Sequence, residues 1–251
     1  MPRKLAVALA CMVALAVPAR AADLTVLSAG AITAVAKSVV ADYEKSSGVT
    51  VVMRTDTSGG LSKRVLGDEA FDVVLTSQSG IADLEKAGKL APGSAIKLAK
   101  VGIGLGVKMG APAPDITTVE AFKAALLAAP SVAYVDPASG GTSGIYLSNL
   151  FRALGIADAL APKSVLVRGG FAAEAVADGR AALALQQVSE ILGVHGVVLV
   201  GRLPESIQLY TTYAGAISAA TGKAADARAF LEAMASPTAK SMIAARGMTD
   251  P

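Results

Sequence analysis

Four short stretches rich in glycine, serine, threonine and alanine have the composition of anion-binding loops. They are residues 28–31, 56–60, 139–144 and 168–170. Each stretch follows an apolar run and precedes a helix-like pattern, so each predicts a strand that leads into the first turn of a helix. The backbone N–H groups of such a turn have no helical partner, and the positive end of the helix dipole lies there. Four such junctions in one chain predict a cleft that binds a small anion.

The same residues also have a purely structural explanation. Ser28, Ser58, Thr142 and Ser143 belong to the residue types that cap helix N-termini, and the glycines at 140–141 are typical of a turn. Capping and anion binding use the same geometry, so one interpretation does not exclude the other.

The chain has few candidates for familiar catalytic sites. Its one histidine, His195, lies in a glycine-rich segment that predicts a loop, and Ser143 lies beside Gly144 rather than midway between two glycines, as a nucleophile elbow requires. No H-E-x-x-H or G-x-x-x-x-G-K-[ST] motif occurs. A secreted serine hydrolase that uses Ser143 would need His195 within hydrogen-bond reach. We therefore expect a protein that is not an enzyme, with no catalytic residue, cofactor or metal.

The beginning of the chain predicts export. Arg3 and Lys4 precede an apolar run over residues 5–17, and the small-x-small pattern at residues 19–21 is typical of a cleavage site. We predict that residues 1–21 are a cleavable signal peptide and that the mature chain resides in the periplasm. A lipoprotein anchored through Cys11 is the poorer alternative, because the apolar run before that residue is short.

Cleavage would change the charge of the protein. Of 23 basic and 20 acidic residues, Arg3, Lys4 and Arg20 leave with the signal peptide, which gives 20 of each sign. A neutral mature chain gives no support for nucleic acid or an anionic membrane as a partner. The single cysteine, Cys11, leaves as well, which excludes disulfides and cysteine metal ligands.

Strands and helices alternate along the chain. Hydrophobic residues make up 53% of it and tryptophan is absent, so Ala, Val, Leu and Ile fill the cores. Strands are predicted over residues 24–27, 49–53, 71–75, 101–107, 132–135, 165–167, 181–186, 197–200 and 210–218. Helices are predicted over residues 32–46, 61–66, 81–87, 118–128, 145–154, 171–178, 224–235 and 238–246. This alternation predicts an α/β protein whose sheets are mostly parallel and flanked by helices.

The absence of a flexible linker predicts two lobes joined by strands. We assign residues 22–100 and 217–251 to lobe 1 and residues 101–216 to lobe 2, with crossing segments near 101–107 and 210–218. Glycine at every second position of 101–107 predicts that another backbone approaches one face closely. The ligand is expected in the cleft between the lobes.

Several stretches resemble the periplasmic molybdate-binding proteins of ABC importers, which have the two-lobed type II periplasmic binding protein fold. The matching residues are 24–33, 58–64, 71–77, 136–137 and 143–146. Their order and spacing hold over nearly the whole mature chain. The resemblance implies a solute-binding protein that delivers a small anion to the membrane subunits of an ABC importer. We expect a monomer without a cofactor. A receptor-coupled sensor without a transporter is an alternative.

In that family two serines, backbone amides and a tyrosine hydroxyl hold the oxyanion. The resemblance places Ser58 at the second serine and Ser143 at a backbone donor, but it places Ala31 at the first serine and Gln187 at the tyrosine. The amides of Ala31 and Ile32 and the side-chain NH₂ of Gln187 can still donate. An unpaired oxyanion lone pair in a dry site costs about 1–3 kcal/mol, which is enough to change the preferred ligand.

Arg168 is a further departure from the family. A guanidinium at this junction would suit a carboxylate if it faced the cleft, whereas a solvated loop residue would not contribute. The ligand is therefore expected to be a molybdate- or tungstate-like oxyanion, with a small organic carboxylate as the alternative. The expected ligand-binding residues are Ala29, Gly30, Ala31, Ser58, Gly59, Thr142, Ser143, Arg168, Gly169, Gly170 and Gln187.

Overall fold

A computed structural model describes residues 23–251, so the predicted signal peptide lies outside the described residues. No helix of this part of the chain is both long and apolar enough to span a membrane. The strands are β1 (Leu24–Ala29), β2 (Val51–Asp56), β3 (Val73–Ser77), β4 (Ile96–Lys108), β5 (Val132–Val135), β6 (Ser164–Val167), β7 (Leu183–Gln187), β8 (Val197–Arg202) and β9 (Tyr210–Ile217). The helices are α1 (Gly30–Ser47), α2 (Ser58–Leu66), α3 (Gln78–Lys86), α4 (Val119–Ala128), α5 (Thr142–Ala153), α6 (Ala157–Leu160), α7 (Ala172–Ala177), α8 (Val188–Ile191), α9 (Ala224–Met234) and α10 (Pro237–Ala245).

The strands form one mixed sheet in the order β2-β1-β3-β9-β4-β7-β5-β6, with β8 paired to β4. Strands β1, β2 and β3 run parallel, as do β5, β6 and β7, which confirms the predicted α/β class. Strands β4 and β9 run antiparallel to their neighbours. The sheet therefore consists of two groups of parallel strands, and the antiparallel strands β9 and β4 lie between these groups.

Strand β4 passes from one group to the other. Its first part pairs with β9, and from Ile103 onward it pairs with β7. The buried side chains form separate cores that change over near the same point of the chain. The buried residues of one core come from within 24–101 and 213–248, together with Val188, and those of the other two cores come from within 103–209. The predicted stripe of Val35, Val39 and Tyr43 on α1 is buried in the first core. The lobe boundaries at residues 100 and 217 remain a proposal.

The alternating glycines of β4 allow close packing. A backbone atom approaches closely at only one of these glycines. A Cβ on Gly104 would lie 2.8 Å from Leu199 Cδ1 and 2.9 Å from the backbone oxygen of Gly201. At Gly102 and Gly106 the nearest atoms belong to side chains. The predicted close approach of a second backbone is therefore seen at Gly104.

Gly104→Ala is expected to lower the free energy of unfolding by about 1–3 kcal/mol, because the added methyl group overpacks this contact. Urea denaturation measures the change. Gly222→Ala is the matched control, since no atom lies within 4 Å of the position of its Cβ. Equal stabilities of the two variants would contradict this prediction.

Candidate functional site

A cavity of about 300 Å³ lies where α1, α2 and α5 begin. Residues from both parallel groups of strands and from the antiparallel strand β9 contribute to its wall. Nine of the eleven predicted ligand-binding residues line it: Ala29, Gly30, Ala31, Ser58, Thr142, Ser143, Gly169, Gly170 and Gln187. The junctions that were predicted from local sequence therefore meet at one place in the fold.

Two of the three helices begin at the cavity without a side-chain cap. Ala29 precedes α1 and Gly141 precedes α5, and neither offers a side-chain acceptor to the first helical turn. Helix α2 differs, because the Thr57 hydroxyl accepts a hydrogen bond of 3.0 Å from the Gly60 N–H. The first-turn N–H groups of α1 and α5 therefore remain donors for an anion, and both helix dipoles favour negative charge here.

The interpretation of the serines and the threonine as N-caps is wrong. Ser28 is the fifth residue of β1, and its hydroxyl accepts a hydrogen bond from Thr33 at 3.0 Å. Ser58 and Thr142 are the first residues of α2 and α5, and Ser143 is the second residue of α5. The helices begin two or three residues earlier than predicted, because these small residues form the first turn instead of preceding it.

Tyr213 on β9 contributes a phenol to the cavity wall that the sequence analysis missed. Burial raises its pKa, and the charge of Glu190 raises it further, whereas hydrogen bonding by Thr142, Ser58 and Gln187 opposes the rise. The phenol is therefore protonated at neutral pH and available as a donor. The resemblance placed the tyrosine of the molybdate binders at Gln187, yet this cavity contains a tyrosine from another strand.

Gln187 is buried at the end of β7. Its side-chain NH₂ donates to the hydroxyl of Thr142 at 3.2 Å and to that of Thr211 at 3.1 Å. Within residues 23–251, its side-chain oxygen has no hydrogen-bond partner. A buried amide oxygen at a cavity wall marks a place where a bound molecule can donate.

Glu190 on α8 is the second residue that the sequence analysis missed. Its Oε2 accepts a hydrogen bond of 3.3 Å from the Gln186 side chain. Burial raises the pKa of Glu190 to about 7, although hydrogen bonds from the Gln187 backbone and the Gln186 side chain oppose this rise. A single acidic residue within the apolar stretch 181–200 was the available sequence signal.

Hydrogen bonds join the two sides of the cavity. The Gly59 N–H donates to the Gly140 oxygen at 3.0 Å, so Gly59 contacts the opposite side instead of lining the cavity. The Thr57 hydroxyl donates to the Ser139 oxygen nearby. The Ser189 hydroxyl, on α8, donates to the Ala31 oxygen at 2.8 Å. The structure therefore represents a closed arrangement.

The side chain of Arg168 does not reach the cavity. Its Nε lies 2.8 Å from Oδ2 of Asp136, and its side chain is 83% exposed. A hydrogen bond from the Ala138 backbone N–H lowers the pKa of Asp136 below its ordinary value, and the hydrogen bond from Arg168 contributes a smaller part of this shift. The guanidinium therefore pairs with a carboxylate of the protein on the outer surface.

The structure does not bring together the pair that a serine hydrolase would need. Ser143 is buried at the cavity, whereas His195 lies in an exposed turn outside the cavity wall. Within residues 23–251, no group of three His, Cys, Asp or Glu side chains is arranged to hold a metal ion.

In this α/β fold, strand β4 is shared by both groups of strands, and the cavity lies where several helix N-termini converge. This is the architecture of a solute-binding protein. The chain belongs to the bacterial extracellular solute-binding protein family, whose profile matches residues 24–249. Membership implies a small-molecule ligand and agrees with the predicted export.

Similar proteins with known names differ in what they bind. Aconitate isomerase from Pseudomonas sp is 35% identical over 257 residues, which cover 98% of this chain and 97% of that protein. The periplasmic molybdate-binding protein of Azotobacter vinelandii has 20% identity and a TM-score of 0.77, covering 91% of this chain and all of that one. PEB3 of Campylobacter jejuni, solved with L-phospholactate bound, has 15% identity and a TM-score of 0.68 over 91% of this chain and 100% of its own. The two structures confirm the predicted fold.

Proposed function

We propose that this protein binds aconitate, an unsaturated tricarboxylate, in its central cavity and interconverts the isomers of this compound. The full-length similarity to aconitate isomerase supports the choice of substrate. One observation of the cavity carries the proposal: Glu190, which forms no ion pair within residues 23–251, places a carboxyl with a raised pKa beside the donors at the starts of α1 and α5. Such a carboxyl weakens simple anion capture, but it suits the transfer of a proton to and from a bound anion.

The donors of the cavity suit the carboxylates of aconitate. Uncapped N–H groups at the starts of α1 and α5 and the Tyr213 hydroxyl can each donate a hydrogen bond to a carboxylate. Lys37 is the basic side chain at the wall among the described residues. A volume of about 300 Å³ lies at the lower end of the range for small organic ligands.

Isomerisation of aconitate needs a group that can accept and return a proton. The methylene protons of aconitate are acidic for a carbon acid, because the methylene adjoins both a carboxyl group and the double bond. Proton removal spreads the electron pair over three carbons, and the double bond can re-form in a different position and configuration. A closed site excludes water and fixes donors where the charge develops.

Capture of a molybdate-like oxyanion for an ABC importer is the second candidate function. The likeness of the fold to the Azotobacter vinelandii protein and the hydroxyls of Ser58 and Tyr213 favour it. In either case we propose a periplasmic location for the mature protein, in agreement with the predicted signal peptide.

A direct test incubates the mature protein with trans-aconitate and follows cis-aconitate by proton NMR. We expect interconversion. Calorimetry with aconitate and with molybdate runs in parallel. Tight binding of aconitate without conversion would overturn the isomerase proposal and leave a carboxylate-binding protein. Binding of molybdate alone would favour the oxyanion importer.

Ser58→Ala is expected to weaken binding of aconitate about 10- to 150-fold, because a hydrogen bond to a charged group contributes about 1.5–3 kcal/mol. Calorimetry measures the dissociation constant. Ser62→Ala is the control on the same helix, since its hydroxyl bonds to the Ser58 oxygen at 3.2 Å and does not line the cavity. An unchanged affinity of Ser58→Ala would remove this hydroxyl from the site.

A further inference from the structure

We infer that Glu190 is the catalytic residue that moves the proton between two carbons of the substrate, and that Gly30 positions its carboxyl group. This inference rests on the proposed isomerase function and assigns it to named atoms. It depends on how the carboxyl is held, on what surrounds it and on the balance of the reaction.

The Glu190 carboxyl is fixed at the start of α1. A Cβ on Gly30 would lie 2.5 Å from Glu190 Oε1 and 3.3 Å from the Phe171 ring, so glycine leaves the space that the carboxyl occupies. On the other side, Gln186 donates to Oε2, and the oxygen of Gln186 accepts a 2.6 Å hydrogen bond from the Ala173 N–H. The carboxyl is therefore held between a helix start and an anchored amide, at the wall of the cavity.

The charged groups around the cavity leave Glu190 without an ion pair. Lys37, Asp56, Glu174 and Tyr213 share the wall, and none of the ion pairs within residues 23–251 includes Glu190. The Tyr213 phenol is neutral because burial raises its pKa. With a pKa of about 7, the Glu190 carboxyl exchanges protons readily near neutral pH, which is the condition that general acid-base catalysis favours.

The proposed reaction balances without any further reactant. The Glu190 carboxylate takes one proton from the methylene carbon of aconitate, and the C–H electron pair becomes part of a three-carbon allylic anion. The protonated Glu190 then returns the proton to the other terminal carbon of that unit. The double bond now joins the former methylene carbon to the central carbon, and the molecular formula is unchanged. N–H groups of α1 and α5 and the Tyr213 hydroxyl stabilise the charge that moves onto the carboxylates.

Glu190→Gln tests this role, because it keeps the size of the side chain and removes the base. We expect conversion of aconitate to fall at least about a hundredfold, as is usual when a general base is lost, while the dissociation constant changes only a few-fold. In D₂O, the wild-type protein should exchange deuterium into the methylene group, and the variant should not. Glu232→Gln, on the exposed surface of α9, is the matched control.

Gly30→Ala provides a second test that keeps Glu190 itself. The added methyl group should displace the carboxyl, so turnover should fall while aconitate still binds. The wild-type pH profile of kcat/KM should have a limb near pH 7. Glu190→Gln should lose this limb, and Gly30→Ala should shift it.

Wild-type rates in Glu190→Gln, or a wild-type pH profile without a limb near pH 7, would overturn the inference and leave the isomerase function intact. Absence of conversion by the wild-type protein would overturn the proposed function itself. If Glu190→Gln does not fold, turnover by Gly30→Ala decides the role of the carboxyl.

Discussion

Replacing Glu190 by Gln should stabilise the protein at pH 8 and leave its stability near pH 4 almost unchanged. Burial raises the pKa of Glu190 from its ordinary value of 4.5 to about 7. The folded protein therefore holds this proton more tightly than the unfolded chain does. The resulting stabilisation is fully present below about pH 4.5 and is lost as the pH rises through about 7. Above that pH the fold must keep a partly buried carboxylate at the cavity wall, and glutamine removes this cost.

The expected gain at pH 8 is on the order of 3 kcal/mol, because each pKa unit corresponds to about 1.4 kcal/mol. For a chain of this length, that is a rise in Tm of about 6–12 °C. Thermal unfolding at pH 4 and pH 8 measures it, with Glu232→Gln as the control for the change in formal charge. An equal gain at both pH values would show that the effect does not come from ionisation. A group that reduces stability in its charged form, at the wall of a cavity, is typical of a functional residue.

The strand-to-helix junctions at the cavity could be predicted because their signals are local. An apolar run followed by small residues and a helical pattern specifies a strand, a first turn and a helix within about 15 residues. Residues 29–31 and 142–143 consequently line the cavity, where the predicted ligand-binding residues were expected to meet. The main error, the late helix starts at α1, α2 and α5, arose because glycine and serine were assigned to loops, although they also occupy first helical turns.

The remaining site residues could not be predicted, because their positions depend on contacts between distant segments. Tyr213 reaches the cavity because β9 pairs with β3 and β4, which brings residue 213 opposite Ser77 and Ala99. Glu190 meets Gly30 only because α8 packs on the start of α1. Arg168 precedes a junction, but Asp136 on the neighbouring strand connection attracts its guanidinium. In each case the direction of a side chain is set by tertiary pairing.

The carboxyl of Glu190 distinguishes this cavity from the oxyanion site that the resemblance to the molybdate binders implies. The resemblance to the molybdate binders implies backbone amides and hydroxyls around the ligand, and the uncapped helix starts and hydroxyls of this cavity suit the proposed anion. In the proposed isomerase, the Glu190 carboxyl, with a pKa of about 7, moves a proton, which binding alone does not require. A solute-binding fold can acquire catalysis in this way, since closure already excludes water and orients donors.

Gly59→Ala should lower ligand affinity without lowering the stability of the ligand-free protein. In the closed arrangement, a Cβ on Gly59 would lie 2.8 Å from both the Cα and the oxygen of Gly140. Gly59 is the second residue of α2, where alanine is at least as good a helix former as glycine. The added methyl group therefore opposes closure of the two sides but not the folding of either. Overpacking of about 1–3 kcal/mol would raise the dissociation constant about 5- to 150-fold, because only the closed state uses donors from both sides.

Calorimetry with aconitate measures this affinity, and thermal unfolding without ligand measures the stability. Gly222→Ala serves as the control, because its Cβ would meet no atom within 4 Å. A variant that binds as tightly as the wild-type protein would mean that the contact between Gly59 and Gly140 is not required for binding. In the closed arrangement, the backbones at residues 59 and 140 approach too closely for a side chain to lie between them. A variant with normal stability, weak binding and slow turnover would therefore show that the donors on both sides must meet around the ligand.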